Sequence, residues 1–82
     1  MPVNITIRYF AQLRDLSGKS EETVTVGSTT SASNVYELLA KRYGFPLSSN
    51  DVRVAINDEF ASSDQIINDG DLLVFIPPVA GG

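Results

Sequence analysis

From Val3 to Tyr9 the chain alternates without a break, placing Val3, Ile5, Ile7 and Tyr9 on one side and Asn4, Thr6 and Arg8 on the other. A period of two is the mark of a strand with one face buried. Phe10 breaks the alternation. Phe10, Leu13 and Leu16 then recur every three residues, predicting a short helical turn stopped by Gly18. Glu22 to Val26 sets Val24 and Val26 on one side and predicts a second strand, in a hairpin with the first. After the turn-prone stretch Gly27 to Ser31, the residues Ala32, Val35, Leu38 or Leu39, and Tyr43 fall three or four apart. That spacing predicts the one long helix, capped at its start by Ser31 or Ser33 and at its end by Gly44, with Pro46 preventing continuation.

Val52, Val54 and Ile56 alternate with Arg53 and Ala55 in a third strand. Asn57-Asp58 signals a turn, after which Glu59-Phe60-Ala61 can return as a short strand. Asn68-Asp69-Gly70-Asp71 is a second strong turn, and Leu72 to Ile76 is an apolar run that ends at Pro77-Pro78. The expected class is α+β, a sheet of four to five strands packed on one main helix. One helix of about three turns covers one face of such a sheet. Yet Leu72–Ile76 is apolar on both faces, as in a strand covered on both sides. Loop residues such as Phe45 and Leu47 could cover the second face, or another chain could. Phe10 and Phe60, just off the strands, either fill the core or extend the same uncovered patch.

The chain of 82 residues has room for one domain. It contains no Cys, His or Trp, which excludes disulfides, thiolate or imidazole metal ligation, a Cys nucleophile and a histidine acid or base. The net charge is −4, and Arg8, Arg14, Lys19, Lys41, Arg42 and Arg53 are scattered. Both argue against nucleic acid as a partner and suit a positively charged protein surface. Arg14 and Asp15 read as surface charges, Lys41-Arg42 as a helix end complementing the dipole, and Asp69 and Asp71 as turn residues with no metal. The N-terminal stretch lacks the apolar run of a signal peptide, and no stretch is long enough to span a membrane, so the expected location is the cytoplasm.

Past Ile76 the chain runs Pro77, Pro78, Val79, Ala80, Gly81, Gly82. The prolines hold the backbone extended, and the last four residues carry little side-chain bulk. Gly81 and Gly82 can thread a channel too narrow for other residues. The expected division is therefore a domain over 1–78 and a flexible tail over 79–82 that offers the α-carboxylate of Gly82 to another protein's active site. A carboxylate can be activated as an acyl-adenylate and then attacked by a nucleophile.

The ending DGDLLVFIPPVAGG, together with the early RYFAQLRDLSG, resembles the family of small sulfur-carrier subunits of molybdopterin synthase, and the strand order resembles that family's ubiquitin-like β-grasp fold. The resemblance implies a carrier. Gly82 would be adenylated with ATP by a ubiquitin-activating-like adenylyltransferase and converted to a thiocarboxylate with sulfur from a donor protein. No cofactor would be bound permanently. Val79, Ala80 and Gly81 would insert with Gly82 into the large subunit, in a heterotetramer of two small and two large chains, and sulfur would pass to cyclic pyranopterin monophosphate. Catalytic side chains would belong to the large subunit. The same resemblance implies a partner-facing surface of Phe10, Phe60 and Ile76, with Phe75 nearby. The competing readings are a carrier for the thiamine thiazole, one of the tRNA-thiolation or protein-modifier type, and a plain interaction module with an idle tail.

Overall fold

The computed structural model describes residues 1–78. The elements are β1 (Pro2–Tyr9), α1 (Ala11–Ser17), β2 (Glu21–Gly27), α2 (Ala32–Tyr43), a 3-10 turn (Ser49–Asp51), β3 (Arg53–Ile56), β4 (Glu59–Ala61) and β5 (Leu72–Ile76). The strands form one mixed sheet in the order β2-β1-β5-β3-β4. β1 pairs antiparallel with β2 and parallel with β5, and β3 pairs antiparallel with both β5 and β4. This is the β-grasp arrangement expected above.

The hydrophobic alternation decides which face of the sheet is closed. Val3, Ile5, Ile7 and Tyr9 of β1 are buried, with Val24 of β2, Val54 of β3, and Leu73 and Phe75 of β5. Ala32, Val35, Tyr36 and Leu39 of α2 pack into the same cluster, joined by Leu13 of α1 and by Ile67. Of the two leucines left open by helical spacing, Leu39 is buried and Leu38 is about half exposed. α1 buries only Leu13; Phe10 and Leu16 stay outside although their spacing is helical.

The ends of α2 are closed by partners from far along the chain. Its first amides donate to the carbonyls of Gln65 (2.9 Å, from Ala32) and Ser63 (2.9 Å, from Ser33), and Asn34 N–H donates to Ser31 Oγ. The free amides of a first turn are thereby satisfied. Gly44 ends the helix in the left-handed region, at φ 73°, where its N–H reaches Ala40 O at 2.8 Å. Ser31, of the two candidate caps, accepts the capping bond.

Phe45 is not the cover for the second face that the sequence offered as one of two alternatives. It lies on the helix side, with its ring centroid 5.9 Å from Tyr9, 5.8 Å from Tyr36 and 5.7 Å from Tyr43, and so does not cover the second face. Leu47 is likewise tied to the helix, its carbonyl accepting from Tyr36 OH at 3.0 Å. The reason is the left-handed Gly44, which turns the chain back under α2.

Beside these rings a polar network closes the end of the core. Glu22 Oε2 accepts from Tyr9 OH and, at 2.6 Å, from Tyr43 OH, while Lys19 Nζ lies 3.5 Å from Glu22 Oε1. Burial alone would push the Glu22 carboxyl up, but the hydrogen bonds from Tyr43 and Tyr9 and the Lys19 charge outweigh it and hold it below the usual carboxylate range. Burial and the neighbouring carboxylate push the Tyr9 hydroxyl far up, so it remains a donor at any physiological pH.

A group whose pKa falls on folding stabilises the folded state above its unfolded pKa, and that contribution is lost as pH drops through the folded value. Glu22→Gln is therefore expected to cost about 1–2 kcal/mol near neutral pH, the scale of charge-assisted hydrogen bonds. The difference should shrink as the pH falls below the ordinary carboxylate range. Urea unfolding of both proteins between acid and neutral pH measures it.

Candidate functional site

Among the described residues no helix covers the second face of the sheet. The pairing registers place Glu21, Arg8, Val74, Ala55 and Phe60 in one row across all five strands. Val74 and Ala55, at the middle of the row, are buried yet stand apart from the helix-side cluster. Arg8 Nη2 closes one end of the row on Glu21 Oε1 at 3.2 Å, an exposed pair of small energetic weight. Phe60 closes the other end and is 64% exposed. Arg53 lies over its ring, with the guanidinium carbon 4.5 Å from the centroid.

A second row gathers where β5 ends. Ile76 pairs with Arg53 across β3. The parallel register ends at Tyr9↔Phe75, so Phe10 and Ile76 are the next residues along. Phe10 is still extended, at φ −120° and ψ 149°, which carries its side chain to the Arg8 side; it is 46% exposed. Ala11 follows at φ 51°, a left-handed conformation costing a non-glycine residue about 1 kcal/mol, and turns the chain into α1. Phe10, Ile76, Arg53 and Phe60 thus lie at the end of the open face from which the chain leaves the sheet. Pro77 is buried there and Pro78 is exposed.

Phe75 does not belong to this surface. It is 2% exposed, faces α2, and meets Tyr36 edge-on with centroids 5.2 Å apart. The expectation that it adds to the partner-facing surface is corrected by the pairing: Phe75 stands opposite Val54 on the closed face, while its neighbour Ile76 turns outward beside Arg53. The tail assigned to Val79, Ala80, Gly81 and Gly82 lies outside the described residues.

Sequence reasoning did not reach Arg53 as a neighbour of Phe60. The signal was available, because Arg53 shares the period-two face of Ala55, and Ala55 precedes the turn that brings Phe60 back opposite it.

The turn before β5 fixes the height of that strand. Asp69 Oδ1 accepts from Asn4 N–H at 2.7 Å, Asp71 O from Thr6 N–H at 3.0 Å, and Asn4 O from Gly70 N–H at 2.8 Å. Asp71 also accepts from Asn68 N–H and from the Asn57 side chain. Both aspartates serve as turn residues, as expected, and no group of metal-ligating side chains occurs among the described residues.

Comparison with known proteins places this geometry. The model of the ThiS family matches residues 7–82. The molybdopterin synthase sulfur carrier subunit of Drosophila erecta is 31% identical over 83 residues, which span 98% of this chain and 92% of that protein. A protein of Pyrococcus furiosus described as a candidate molybdopterin converting factor, subunit 1, superposes with a TM-score of 0.80 at 29% identity, covering 94% of this chain and 99% of that one. Two structures share the fold at lower identity. Caldiarchaeum subterraneum ubiquitin matches at TM-score 0.70 and 17% identity, covering both chains completely. Subunits 1 and 2 of molybdopterin-converting factor from Helicobacter pylori form a complex that matches at TM-score 0.62 and 21% identity, over 98% of this chain and 100% of that one.

The two faces make opposite predictions. Phe60→Ala is expected to change unfolding free energy by no more than about 0.5 kcal/mol, whereas Phe75→Ala removes a ring from the closed core at a cost of about 3–5 kcal/mol. Chemical denaturation of the two variants compares them directly. With its helix-covered sheet, its central β5 and a family match over almost its whole length, this chain belongs to the ThiS family and has the ubiquitin-like β-grasp fold.

Proposed function

We propose that this chain is a sulfur carrier that serves molybdopterin synthase, with the C-terminal carboxylate of Gly82 as its reactive group. The observation that carries the reading is the patch of Phe10, Ile76, Arg53 and Phe60, set on the open face at the end of β5 that leads to the tail. The kinship to sulfur carrier subunits of molybdopterin synthase supports it.

In this reading a ubiquitin-activating-like adenylyltransferase joins the Gly82 carboxylate to AMP from ATP, releasing pyrophosphate. A persulfide of a sulfur donor protein then attacks the acyl carbon and expels AMP. A second donor thiol cleaves the resulting S–S bond, leaving the thiocarboxylate and a donor disulfide. That group is ionised and nucleophilic at neutral pH without help from a neighbouring side chain. A chain with no Cys cannot hold sulfur as its own persulfide, and one with no His has no side chain that titrates near neutrality. Activation and proton transfer therefore fall to the partners.

The open face docks on the large subunit of the synthase in a complex of two small and two large chains. Val79 to Gly82 enter its active site, and the thiocarboxylate sulfur bonds to cyclic pyranopterin monophosphate. Water cleaves the acyl–sulfur bond, leaving the sulfur on the substrate and restoring the carboxylate. The cytoplasm is the setting that fits such partners.

Deleting Gly81 and Gly82 is expected to leave thermal unfolding unchanged and to abolish molybdopterin formation in a reconstituted assay; continued formation would end the carrier reading. Intact mass after incubation with the activating enzyme, ATP and a sulfur source should rise by about 16 Da on the final glycine, as one oxygen gives way to sulfur. Phe60→Asp is expected to weaken binding to the large subunit by at least about 2 kcal/mol in calorimetry, the scale of an interface hot spot.

A further inference from the structure

β2 is an edge strand, and its free side carries a complete, self-complementary row of backbone groups. Tyr9 N–H donates to Ser20 O at 2.9 Å, which sets the phase of the β1–β2 ladder. Counting along the register from that bond, Glu22, Val24 and Val26 direct their backbone groups at β1. Glu21, Thr23, Thr25 and Gly27 direct theirs away from the sheet. Among the described residues no other strand pairs with that side. The carbonyl of Gly27 accepts from Thr30 N–H at 3.2 Å and keeps a second lone pair.

Edges of this kind are commonly blunted by charged side chains, lysine above all, by inward-pointing charges, by proline, by a bulge or by shortness. β2 has no lysine, proline or bulge within Glu21–Gly27, and its register with β1 is continuous. Its two charged side chains are engaged inside the chain, Glu21 by Arg8 and Glu22 by Tyr9 and Tyr43. The opposite edge, β4, spans only Glu59–Ala61.

We propose that β2 pairs antiparallel with β2 of a second copy of this chain, about a two-fold axis at Val24. In that register Thr23 and Thr25 exchange hydrogen bonds with Thr25 and Thr23 of the second copy, and Glu21 does so with Gly27. Every outward backbone group finds a partner. The charges agree with the register: Glu21 meets a glycine and Glu22 meets Val26, so no carboxylate stands opposite another. Sliding the strands toward their N-terminal ends would bring Glu22 opposite its own copy and drop Gly27 from the ladder. Thr23 and Thr25 then form cross-strand pairs on the open face, a favoured arrangement in sheets.

The pairing joins the two sheets into one and leaves Phe10, Ile76, Arg53 and Phe60 free. The two β5 strands run in opposite directions, about 24 Å apart at five strand spacings, so their C-terminal ends emerge on opposite sides of the assembly. The inference is independent of the carrier reading, because it uses the far edge of the sheet.

The test is sedimentation equilibrium of the full chain over a wide concentration range, with amide exchange followed by NMR. The mass should rise toward twice that of one chain as concentration increases. Protection should then appear at the amides of Glu21, Thr23, Thr25 and Gly27, while Glu22, Val24 and Val26 are protected throughout. Thr25→Pro removes an outward donor without touching the β1 ladder, and edge strands tolerate such a proline. It should weaken association by at least about tenfold, since the two-fold axis removes the bond twice. Thr25→Val and Phe60→Asp should associate as the parent does. A single-chain mass at every concentration would overturn the proposal. So would association that survives Thr25→Pro in a folded protein, or association lost in Phe60→Asp, which would assign it to the open-face patch. The exchange pattern of the unsubstituted chain decides the matter even if Thr25→Pro fails to fold.

Discussion

The parallel pairing of β5 with β1 is the constraint on which the rest of the molecule depends. It places the most apolar strand at the centre of the sheet, hydrogen-bonded along both edges, where an unpaired backbone group would be costly to bury. It also divides the strand's side chains, sending Leu73 and Phe75 to the helix and Leu72, Val74 and Ile76 to the other side. Because a slip of one residue exchanges the faces, the register must be held firmly. The turn before β5 does this by bonding Asp69, Gly70 and Asp71 to Asn4 and Thr6 of β1.

One face is then completed by α2, and among the described residues no helix completes the other. Five aromatic rings, from Tyr9, Tyr36, Tyr43, Phe45 and Phe75, meet under α2. The open face has a floor of Val74 and Ala55, both buried although neither joins the core cluster under α2. A surface of that composition, with Phe60 under a guanidinium at its margin, resembles the centre of an interface more than an ordinary solvent-facing sheet. The functional reading follows from this asymmetry together with kinship.

Much of this could be read from the residues alone, wherever the physics is local. The alternation of Val3 to Tyr9, the glycines that stop both helices and the two turns rich in Asn and Asp depend on neighbours only a few positions away. Where distant segments decide, the string of residues was silent. β5 has no alternation, so nothing in it distinguishes Phe75 from Ile76; only pairing with β1 and β3 does. Leu38 and Leu39 are equally spaced for a helix, and the sheet beneath chooses Leu39. Phe45 follows a left-handed glycine whose exit direction is not written in residue types. The bond of Glu22 to Tyr9 and Tyr43 spans three elements and leaves no periodic trace. The surplus of apolar residues was legible as a mismatch between one helix and two apolar faces, and that mismatch is the open face itself.

The aromatic cluster also determines how the protein can be watched. All three tyrosines lie on the closed side, and there is no tryptophan. Intrinsic emission and near-ultraviolet dichroism therefore report on packing beneath α2 and are nearly blind to whatever settles on the other side. A fluorophore placed on the open face, with Phe60→Trp the smallest such change, would give the two sides separate optical voices. Folding and docking could then be followed in one sample without a label.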